Sequence, residues 1–206
     1  VYERNKEAAD KESKYIISCL NTGKICIFTK DGKMHRMKVL DLPYGKFREK
    51  GQPIDNVSNY DSSTEEVVYM CDEEQLKVDK FIFATKFGMI KKVDGSEFLA
   101  AKRTIVSTKL QEDDAIISVL PIHERHQVVL QTMGGYFLRF PAEEVPEKKK
   151  GAVGVRGMKL QKQDELEHIY LFEEGTETKV TYKEKEVSLN RLKQARRDGT
   201  GTKTRG

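Results

Sequence analysis

The stretch Phe28-Thr29-Lys30-Asp31-Gly32-Lys33-Met34-His35-Arg36 contains the pattern on which the fold prediction rests. An apolar run ends at a Thr, a Gly follows three residues later, and a cation follows four residues after the Gly. The same order recurs within residues 83–92 and 130–139. Each copy predicts two strands joined by a tight hairpin, because Gly adopts the positive φ of such turns at little cost.

The hairpin recurs at a nearly constant interval along the chain. The intervals from Thr29 to Thr85 and from Thr85 to Thr132 are 56 and 47 residues, and a fourth copy without the Gly follows 49 residues later at Thr181. A basic or Gly-rich element and an apolar element also recur after the hairpins. A period of this length with several short strands is typical of propeller-like folds. We therefore predict an all-β, propeller-like protein of about four blades, each a small antiparallel sheet of about four strands.

The chain divides into two predicted segments, a short N-terminal lead-in and a long β domain. Residues 1–13 are polar and predict a frayed helix or a disordered lead-in, and residues 14–206 form the predicted β domain, with the possibility that the chain is a fragment of a longer protein. The β-branched and aromatic content of Lys14–Leu20 predicts a strand. This strand resembles Ile116–Leu120, so it could complete the last blade and close the ring. The alternative is that both ends were cut from a longer repeat array.

Composition and motifs exclude several functional classes. No apolar run approaches the roughly 20 residues of a membrane helix, and the N-terminus lacks an apolar signal region, so we expect a cytoplasmic protein. The three cysteines have no Cys-x-x-Cys spacing, which favours core or strand thiols in a reducing compartment. No phosphate-binding loop or nucleophile elbow is present. We expect no catalytic residues, no cofactor and no metal site in this chain.

The positive charge is concentrated toward the C-terminus. The net charge is only +4, but residues 148–206 contain 15 Lys or Arg against 9 Asp or Glu, whereas residues 1–147 contain 22 against 24. The last segment, 188–206, has six cations and one acid among several glycines. Such a distribution favours a polyanion-binding surface over a uniform solubilising charge.

The repeated cations are the candidate binding residues. A repeat places equivalent positions on the same face of every blade, and a curved row of cations suits a bent duplex contacted through its phosphates. The alternative for any single cation is that it keeps an exposed strand edge soluble. The predicted double-stranded-DNA contacts are Arg36, Lys91, Lys92, Lys102, Arg103, Arg139, Lys148, Lys149, Lys150, Arg156, Lys159, Arg196, Arg197, Lys203 and Arg205.

Three strings of the sequence carry a family resemblance. Residues 31–43, 84–92 and 151–160 resemble the C-terminal domain of bacterial type IIA topoisomerase A subunits, which are those of DNA gyrase and topoisomerase IV. The resemblance implies a β-pinwheel, a propeller-like ring whose blades exchange strands and whose basic perimeter binds and bends duplex DNA. It further implies a cytoplasmic, nucleoid-associated protein. Its partners would be the ATPase subunit of the enzyme and the remainder of the A subunit, which carries the active-site tyrosine.

One departure from the family bears on the gyrase and topoisomerase IV alternatives. The gyrase hallmark Gln-Arg-Arg-Gly-Gly-Lys-Gly, needed for chiral wrapping of DNA, is absent, and the nearest string is Ala195-Arg196-Arg197-Asp198-Gly199-Thr200-Gly201. This string is a degenerate form of the hallmark, an eroded form of the topoisomerase IV type, or a sign that the hallmark lies outside this chain. The topoisomerase IV type is the favoured interpretation. The rival function is a propeller that serves as a protein-interaction platform without binding DNA.

Overall fold

The computed structural model describes residues 2–204 of the protein, with side chains described from residue 6. Within this range the secondary structure consists of two α-helices, fourteen short β-strands and five 3₁₀ helices. The helices and strands are α1 Tyr2–Glu12, β1 Lys24–Thr29, β2 Lys33–Lys38, β3 Val67–Asp72, α2 Glu73–Val78, β4 Lys80–Thr85, β5 Met89–Asp94, β6 Thr104–Val106, β7 Ile116–Ile122, β8 His126–Thr132, β9 Tyr136–Pro141, β10 Val155–Arg156, β11 Leu166–Glu173, β12 Lys179–Tyr182, β13 Lys185–Ser188 and β14 Thr202–Lys203. The 3₁₀ helices are Val39–Asp41, Ile54–Asn56, Gly95–Phe98, Ala142–Glu144 and Leu189–Arg191.

The Thr-x-x-Gly motifs form the predicted hairpins β1–β2, β4–β5 and β8–β9. In the first hairpin the amide of Gly32 donates to the carbonyl of Thr29 at 3.1 Å, and the amide of Lys33 donates to the Thr29 hydroxyl at 3.3 Å. The other two hairpins repeat both bonds. The φ angle of Gly32 is +84°, and those of its equivalents are +81° and +86°. The Thr therefore closes the turn through its hydroxyl, and the Gly provides the left-handed conformation.

The strands form four repeat units that exchange strands. Unit one comprises β1–β3, unit two β4–β7, unit three β8–β11 and unit four β12–β14. The sheet orders are β3-β1-β2-β6, β7-β4-β5-β10 and β11-β8-β9-β14, followed by the pair β12-β13. Strands β6, β10 and β14 thus each join the sheet of the preceding unit. This arrangement confirms the predicted all-β pinwheel, in which the described part of the fourth sheet has two strands.

The residue that follows each exchanged strand bonds directly to a hairpin glycine. The carbonyl of Gly32 accepts a bond from the amide of Ser107 at 2.8 Å, Gly88 accepts from Gly157 at 2.7 Å, and Gly135 accepts from Thr204 at 2.8 Å. A Cβ at Gly32 would lie 3.0 Å from the carbonyl oxygen of Thr108. The Gly of each motif is therefore required by the close approach of the next unit as well as by the turn.

The hydrophobic core lies between successive sheets. Phe28 of sheet one meets Phe81, Phe83 and Phe98 of unit two, and the closest pair, Phe28 and Phe98, is edge-to-face at 5.2 Å between ring centroids. Two further clusters fill the spaces between sheets two and three and between sheets three and four. Both faces of the central strands are consequently buried, and β1 is buried at every position after Lys24.

The N-terminal segment departs from the sequence prediction. Residues 2–12 form a helix, but Lys14–Leu20 is not a strand, and it does not complete the fourth sheet. Its side chains instead pack on sheet one, where Tyr15 contacts Tyr69 with ring centroids 6.2 Å apart and Ile17 packs against the cluster of Ile25 and Ile27. Tyr15 and Ile17 therefore pack against the first sheet, whereas Ile16 and Leu20 are exposed. No helix within residues 2–204 is long and apolar enough to cross a membrane.

Two of the three cysteines are core strand thiols, as predicted, whereas Cys19 lies outside the described strands. Cys26 and Cys71 face each other across β1 and β3 in the core, and Cys19 is exposed. Burial raises the pKa of Cys26 to about 11 and also raises the pKa of Cys71, because the thiolate is poorly solvated there.

Candidate nucleic-acid interface

The basic residues concentrate along one edge of the sheets. Strands β3, β7 and β11 are the edge strands on one side of their sheets. Because β7 packs against both β3 and β11, we call this side the inner edge. Strands β6, β10 and β14 end the other side and form the outer edge. We call residues 102–109, 148–159 and 193–203, which contain these strands, the outer segments. They carry 12 Lys or Arg and a single acid, Asp198, whereas the inner strands carry no Lys or Arg and three acids.

Most of the predicted contact residues lie in the outer segments. The exposed ones are Lys102, Arg103, Lys149, Arg156, Lys159, Arg196 and Lys203. The half-buried ones are Lys148, Lys150 and Arg197, and Lys92 on β5 is half-buried as well. Arg205 lies outside the described residues. The tertiary structure thus brings cations from three consecutive units to one outer edge, where a polyanion can reach them.

Arg36 is a correction to the predicted set. Its side chain is 6% exposed, its Nη2 donates to the carbonyl oxygen of Phe98 at 2.6 Å, and its Nη1 lies 3.3 Å from a carboxylate oxygen of Glu73. Phe98 ends a 3₁₀ helix of unit two, so Arg36 connects two units. The expected surface position is wrong because the strand face that carries Arg36 is covered by the next unit.

The prediction of Arg139 as an exposed DNA contact is corrected for the same reason. It is 9% exposed, and its Nη1 donates to the carbonyl oxygens of Asn190 at 2.9 Å and Leu192 at 3.2 Å. Its Nε donates to the side-chain oxygen of Gln127 at 3.2 Å, and its guanidinium lies 5.2 Å from the ring of Phe172. These groups partner the Nε and Nη1 donors of a buried guanidinium, and the bonds to Asn190 and Leu192 connect unit three to unit four.

Lys91 is the third buried cation in the predicted set. Only 1% of the residue is exposed, and its Nζ donates to three backbone carbonyl oxygens of the loop 149–152. Desolvation lowers the pKa of Lys91 from 10.5 to about 8, Glu97 opposes this shift, and Lys148 adds to it. Lys92, and not Lys91, occupies the strand position equivalent to Arg36 and Arg139. Lys92 pairs with Ile82 across its hairpin, just as Arg36 pairs with Cys26 and Arg139 with Val129.

Arg156 is exposed but is paired within the chain. Its guanidinium forms a two-pronged ion pair with Asp198, in which Nη2 donates to Oδ2 at 2.9 Å. Arg197 donates from Nη1 to the carbonyl oxygen of Arg156 at 2.8 Å. Arg156 holds the pKa of Asp198 below its usual range, and Lys159 and Arg197 add to that effect. The one acid of the outer segments therefore occupies a pocket of cations.

The string 195–201, the nearest match to the gyrase hallmark, forms an open loop beside that ion pair. Asp198 has a φ of +68° and Gly201 a φ of +77°, and a Cβ at Gly201 would lie 2.6 Å from the carbonyl oxygen of Phe137. The loop borders a cavity of about 290 Å³ whose lining includes Lys193, Arg196 and Arg197. A phosphate group could enter this space and meet several cations.

Sequence reasoning missed several exposed cations. Lys109 is equivalent to Lys159, because each lies two residues after the residue whose amide donates to a hairpin Gly. Lys193 belongs to the third outer segment and is also exposed. In unit one the loop after β2 exposes further cations together with the fully exposed Tyr44. These further cations are Lys46, Arg48 and Lys50. Lys109 could have been found from the sequence, because it holds the same place in its repeat as the predicted Lys159.

The described residues contain no group of three or more His, Cys, Asp or Glu side chains arranged to hold a metal ion. The stacked pair His123 and His126, with ring centroids 3.5 Å apart, has Glu173 as its acidic neighbour, 3.5 Å from Nε2 of His123.

Comparison with known proteins identifies the family. The family model of the DNA gyrase C-terminal domain, a β-propeller, matches residues 79–123 and 126–173, which coincide with units two and three. The A subunit of DNA gyrase from Lawsonia intracellularis is 30% identical over 163 residues, which cover 79% of this chain and 20% of that protein. The chain belongs to the family of C-terminal domains of type IIA topoisomerase A subunits. Another member, the gyrase A protein of Chlamydia pneumoniae, is 32% identical over 155 residues, which cover 74% of this chain and 19% of that protein.

Solved structures from this family have the same fold. The C-terminal domain of DNA topoisomerase IV gives a TM-score of 0.83 at 23% identity and covers 97% of this chain and 66% of that chain. The E. coli ParC C-terminal domain gives 0.75 at 19% identity, with coverages of 94% and 81%. The DNA gyrase A C-terminal domain gives 0.66 at 17% identity, with coverages of 89% and 60%. The chain spans about a fifth of the length of the gyrase relatives.

Proposed function

We propose that this chain binds and bends duplex DNA without sequence specificity and presents it to the catalytic core of a type IIA topoisomerase. The observation that carries the proposal is the concentration of 12 cations and one acid in the outer segments of three consecutive units. Phosphate contacts by Lys and Arg supply affinity for any sequence. Cations arranged along a curved edge favour a duplex that bends to follow them.

The proposal includes the partners and the location of the chain. The ATPase subunit, together with the remainder of the A subunit, would supply the chemistry of DNA passage, for supercoiling or decatenation, as the family relationship suggests. Binding of chromosomal DNA would place the protein in the cytoplasm, associated with the nucleoid. Catalysis would lie in those other parts of the enzyme.

The first experiment measures binding of a fluorescent linear duplex against salt concentration. We expect the logarithm of the association constant to fall linearly with the logarithm of salt, with a slope of about −0.9 for each phosphate contacted. Neutralising exposed outer-edge cations in pairs, as in Lys102→Gln with Arg103→Gln or Arg196→Gln with Lys203→Gln, should reduce the slope for every duplex sequence.

The matched control is Lys77→Gln. Lys77 is an exposed cation on α2, outside the outer segments, and it pairs with Glu74 at 2.7 Å. Its replacement should leave the salt slope unchanged. Absence of binding at low salt, or equal effects of the control and the outer-edge variants, would contradict the proposal and support the protein-interaction alternative.

A second experiment separates wrapping from bending. Relaxed plasmid is closed by a ligase in the presence of the chain, and its linking number is then measured. A shift in linking number would show chiral wrapping of the gyrase type, in which the loop 195–201 functions despite Asp198. Steep salt dependence and faster cyclisation of short duplexes without that shift would show bending alone, which is the topoisomerase IV alternative.

A further inference from the structure

Lys91 is a buried cation whose three donors all point at one loop. Its Nζ donates to the carbonyl oxygens of Lys149 at 3.1 Å, Lys150 at 3.0 Å and Ala152 at 2.7 Å. An ammonium has three N–H donors, so this set satisfies all of them. Lys91 belongs to unit two, whereas the loop belongs to unit three and precedes the exchanged strand β10.

The same loop is held at two further points. The amide of Lys148 donates to the carbonyl oxygen of Lys92 at 2.8 Å, and the amide of Lys150 donates to Oε1 of Glu97 at 3.0 Å. Within the loop, the amide of Ala152 donates to the carbonyl oxygen of Lys149 at 3.1 Å. The loop is thus fixed from β5 and from the 3₁₀ helix Gly95–Phe98, although it contains three consecutive lysines that repel one another.

The loop is also the most basic part of the outer edge. Lys148, Lys149 and Lys150 are consecutive, and the side chain of Lys149 is 86% exposed. The Nζ of Lys91 lies 5.7 Å from the ring centroid of Phe83 on β4. The charged or titratable groups around Lys91 are Glu97 on the 3₁₀ helix, Lys148 on the loop, and Lys109 and Asp114, which line the small cavity beside it.

We propose that Lys91 is a positioning residue that holds the loop 148–152 in place, so that its three lysines are ordered for phosphate contact while Lys91 itself contacts no phosphate. The proposal rests on the proposed function for the role of the loop lysines. A loop that is ordered before binding does not have to lose conformational freedom on binding, so its contacts contribute more to affinity. Removal of Lys91 should weaken DNA binding without removing a contact.

The test replaces Lys91 by Met, which keeps an unbranched side chain over Phe83 and removes the donors. We expect faster hydrogen exchange of the amides of Lys148, Lys150 and Ala152, by about tenfold or more, because opening of the loop becomes easier. We expect DNA affinity to fall by about threefold to tenfold, from the ordering of flexible side chains and backbone on binding. The slope of log affinity against log salt should stay that of the wild type.

Lys149→Met is the matched comparison, because it removes an exposed cation of the same loop. It should reduce the salt slope by about 0.9 and leave the exchange of the loop amides unchanged. Glu97→Gln is a second positioning variant that removes the charge of the other side-chain anchor. It should accelerate exchange of the Lys150 amide and lower affinity without changing the slope, even if Lys91→Met fails to fold.

Two results would overturn the inference. A salt slope reduced in Lys91→Met as much as in Lys149→Met would make Lys91 a direct phosphate contact. Unchanged loop exchange in both Lys91→Met and Glu97→Gln would show that neither residue holds the loop. If the wild type binds no DNA, the proposed function fails, whereas the anchoring of the loop by Lys91 is still decided by the exchange measurement.

Discussion

At the scale of single residues, the repeated cations of the hairpins show how one residue type can have two roles. Arg36 and Arg139 fall at the same place in two repeats, and both turn their guanidinium groups onto carbonyl oxygens of the next unit. Burial of a guanidinium is costly unless its donors find partners, and these carbonyls provide partners for both arginines, although the buried Nε of Arg36 has no hydrogen-bond partner. The two arginines therefore connect neighbouring units. The burial of their side chains distinguishes them from the exposed cations of the outer edge.

Arg139→Met should destabilise the protein more than it affects DNA contacts. The change removes the bonds to Gln127, Asn190 and Leu192, and hydrogen bonds made by a charged group contribute about 1.5 to 3 kcal/mol. We expect the free energy of unfolding, measured in urea, to fall by about 2 kcal/mol or more. The exposed control Arg196→Met should change it by less than about 0.5 kcal/mol. Equal effects of the two variants would contradict the assignment of Arg139 as a buried connector.

The lowered pKa of Lys91 predicts a dependence of stability on pH. The folded protein releases the Lys91 proton near pH 8, whereas an unfolded chain keeps it up to about pH 10.5. Between these values the unfolded state binds more protons, so the contribution of Lys91 to the free energy of unfolding rises with pH and is constant below about pH 8. The free energy of unfolding of the wild type minus that of Lys91→Met should rise by about 2 kcal/mol from pH 7 to pH 10. If this difference in the free energy of unfolding instead fell between pH 7 and pH 10, a depressed pKa of Lys91 in the folded protein would be excluded.

Asp198→Asn should strengthen DNA binding. Asp198 neutralises Arg156 through a two-pronged ion pair. A carboxylate accepts two hydrogen bonds from a guanidinium in the same geometry as a phosphate does, so Asp198 takes the place of a phosphate. Replacing it should raise affinity by about twofold to fivefold at constant salt, and should steepen the salt slope by up to about 0.9 if Arg156 gains a phosphate. The control Glu174→Gln makes the same charge change at an exposed position after β11. A similar gain in both variants would mean that only net charge matters.

At the scale of elements, the hairpin is the part of the structure that follows most directly from local sequence. Thr and Gly at fixed spacing determine the turn, and the motif alone predicts the positive φ that Gly32 and its equivalents adopt. The fourth hairpin keeps its turn without Gly. Lys183 and Glu184 have φ angles of +45° and +66°, a conformation that disfavours residues with a Cβ.

Replacing Lys183-Glu184 by Asn-Gly should therefore stabilise the fourth hairpin. Two central residues with positive φ favour Asn-Gly, and relief of the strain should raise the free energy of unfolding by about 1 kcal/mol. Thermal and urea unfolding would measure the gain. Gly135→Ala is the opposite test, since Gly135 has a φ of +86° and a Cβ there would lie 2.7 Å from the hydroxyl of Tyr182. A stabilising Gly135→Ala or a destabilising Asn-Gly turn would contradict the role given to these backbone angles.

The segment Lys14–Leu20 shows the limit of reasoning from local composition. Its residues suit a strand, but a strand also needs an available neighbour for its backbone. The segment instead packs side chains against sheet one without pairing with its edge strand β3. Ile17 packs against the cluster of Ile25 and Ile27, and Ile16 and Leu20 remain exposed. The strand predicted from composition is therefore wrong, because composition does not report whether a pairing partner is in place.

At the scale of the whole molecule, strand exchange makes each sheet depend on the unit that follows it. Sheet three is completed by β14, where Thr202 pairs with Phe137 and Lys203 with Tyr136. Gly201 lies so close to Phe137 and Met158 that a Cβ would clash with both. Stability in such a repeat array is dominated by contacts between neighbours.

Removal of residues 195–206 should consequently act on sheet three and leave sheet one intact. We expect faster hydrogen exchange of the backbone amides of β9, which loses its partner β14, and of the amide of Lys159, which donates to the carbonyl oxygen of Gly199. The amides of β1 and β2 should exchange as in the full chain. A uniform loss of protection across all sheets would show that the array unfolds as one cooperative unit.

Local sequence was sufficient for the repeat, the hairpin with its Thr and Gly, the all-β class and the concentration of cations near the C-terminus. These features depend on residues near one another in the chain, whose turn chemistry and charge act locally. Which cations face solvent depends instead on the packing of one unit against the next. Lys149 and Arg196 are exposed, whereas Arg36, Lys91 and Arg139 are buried by the following unit, because strand exchange brings together residues about 50 positions or more apart. A pattern read along one repeat does not include those neighbours.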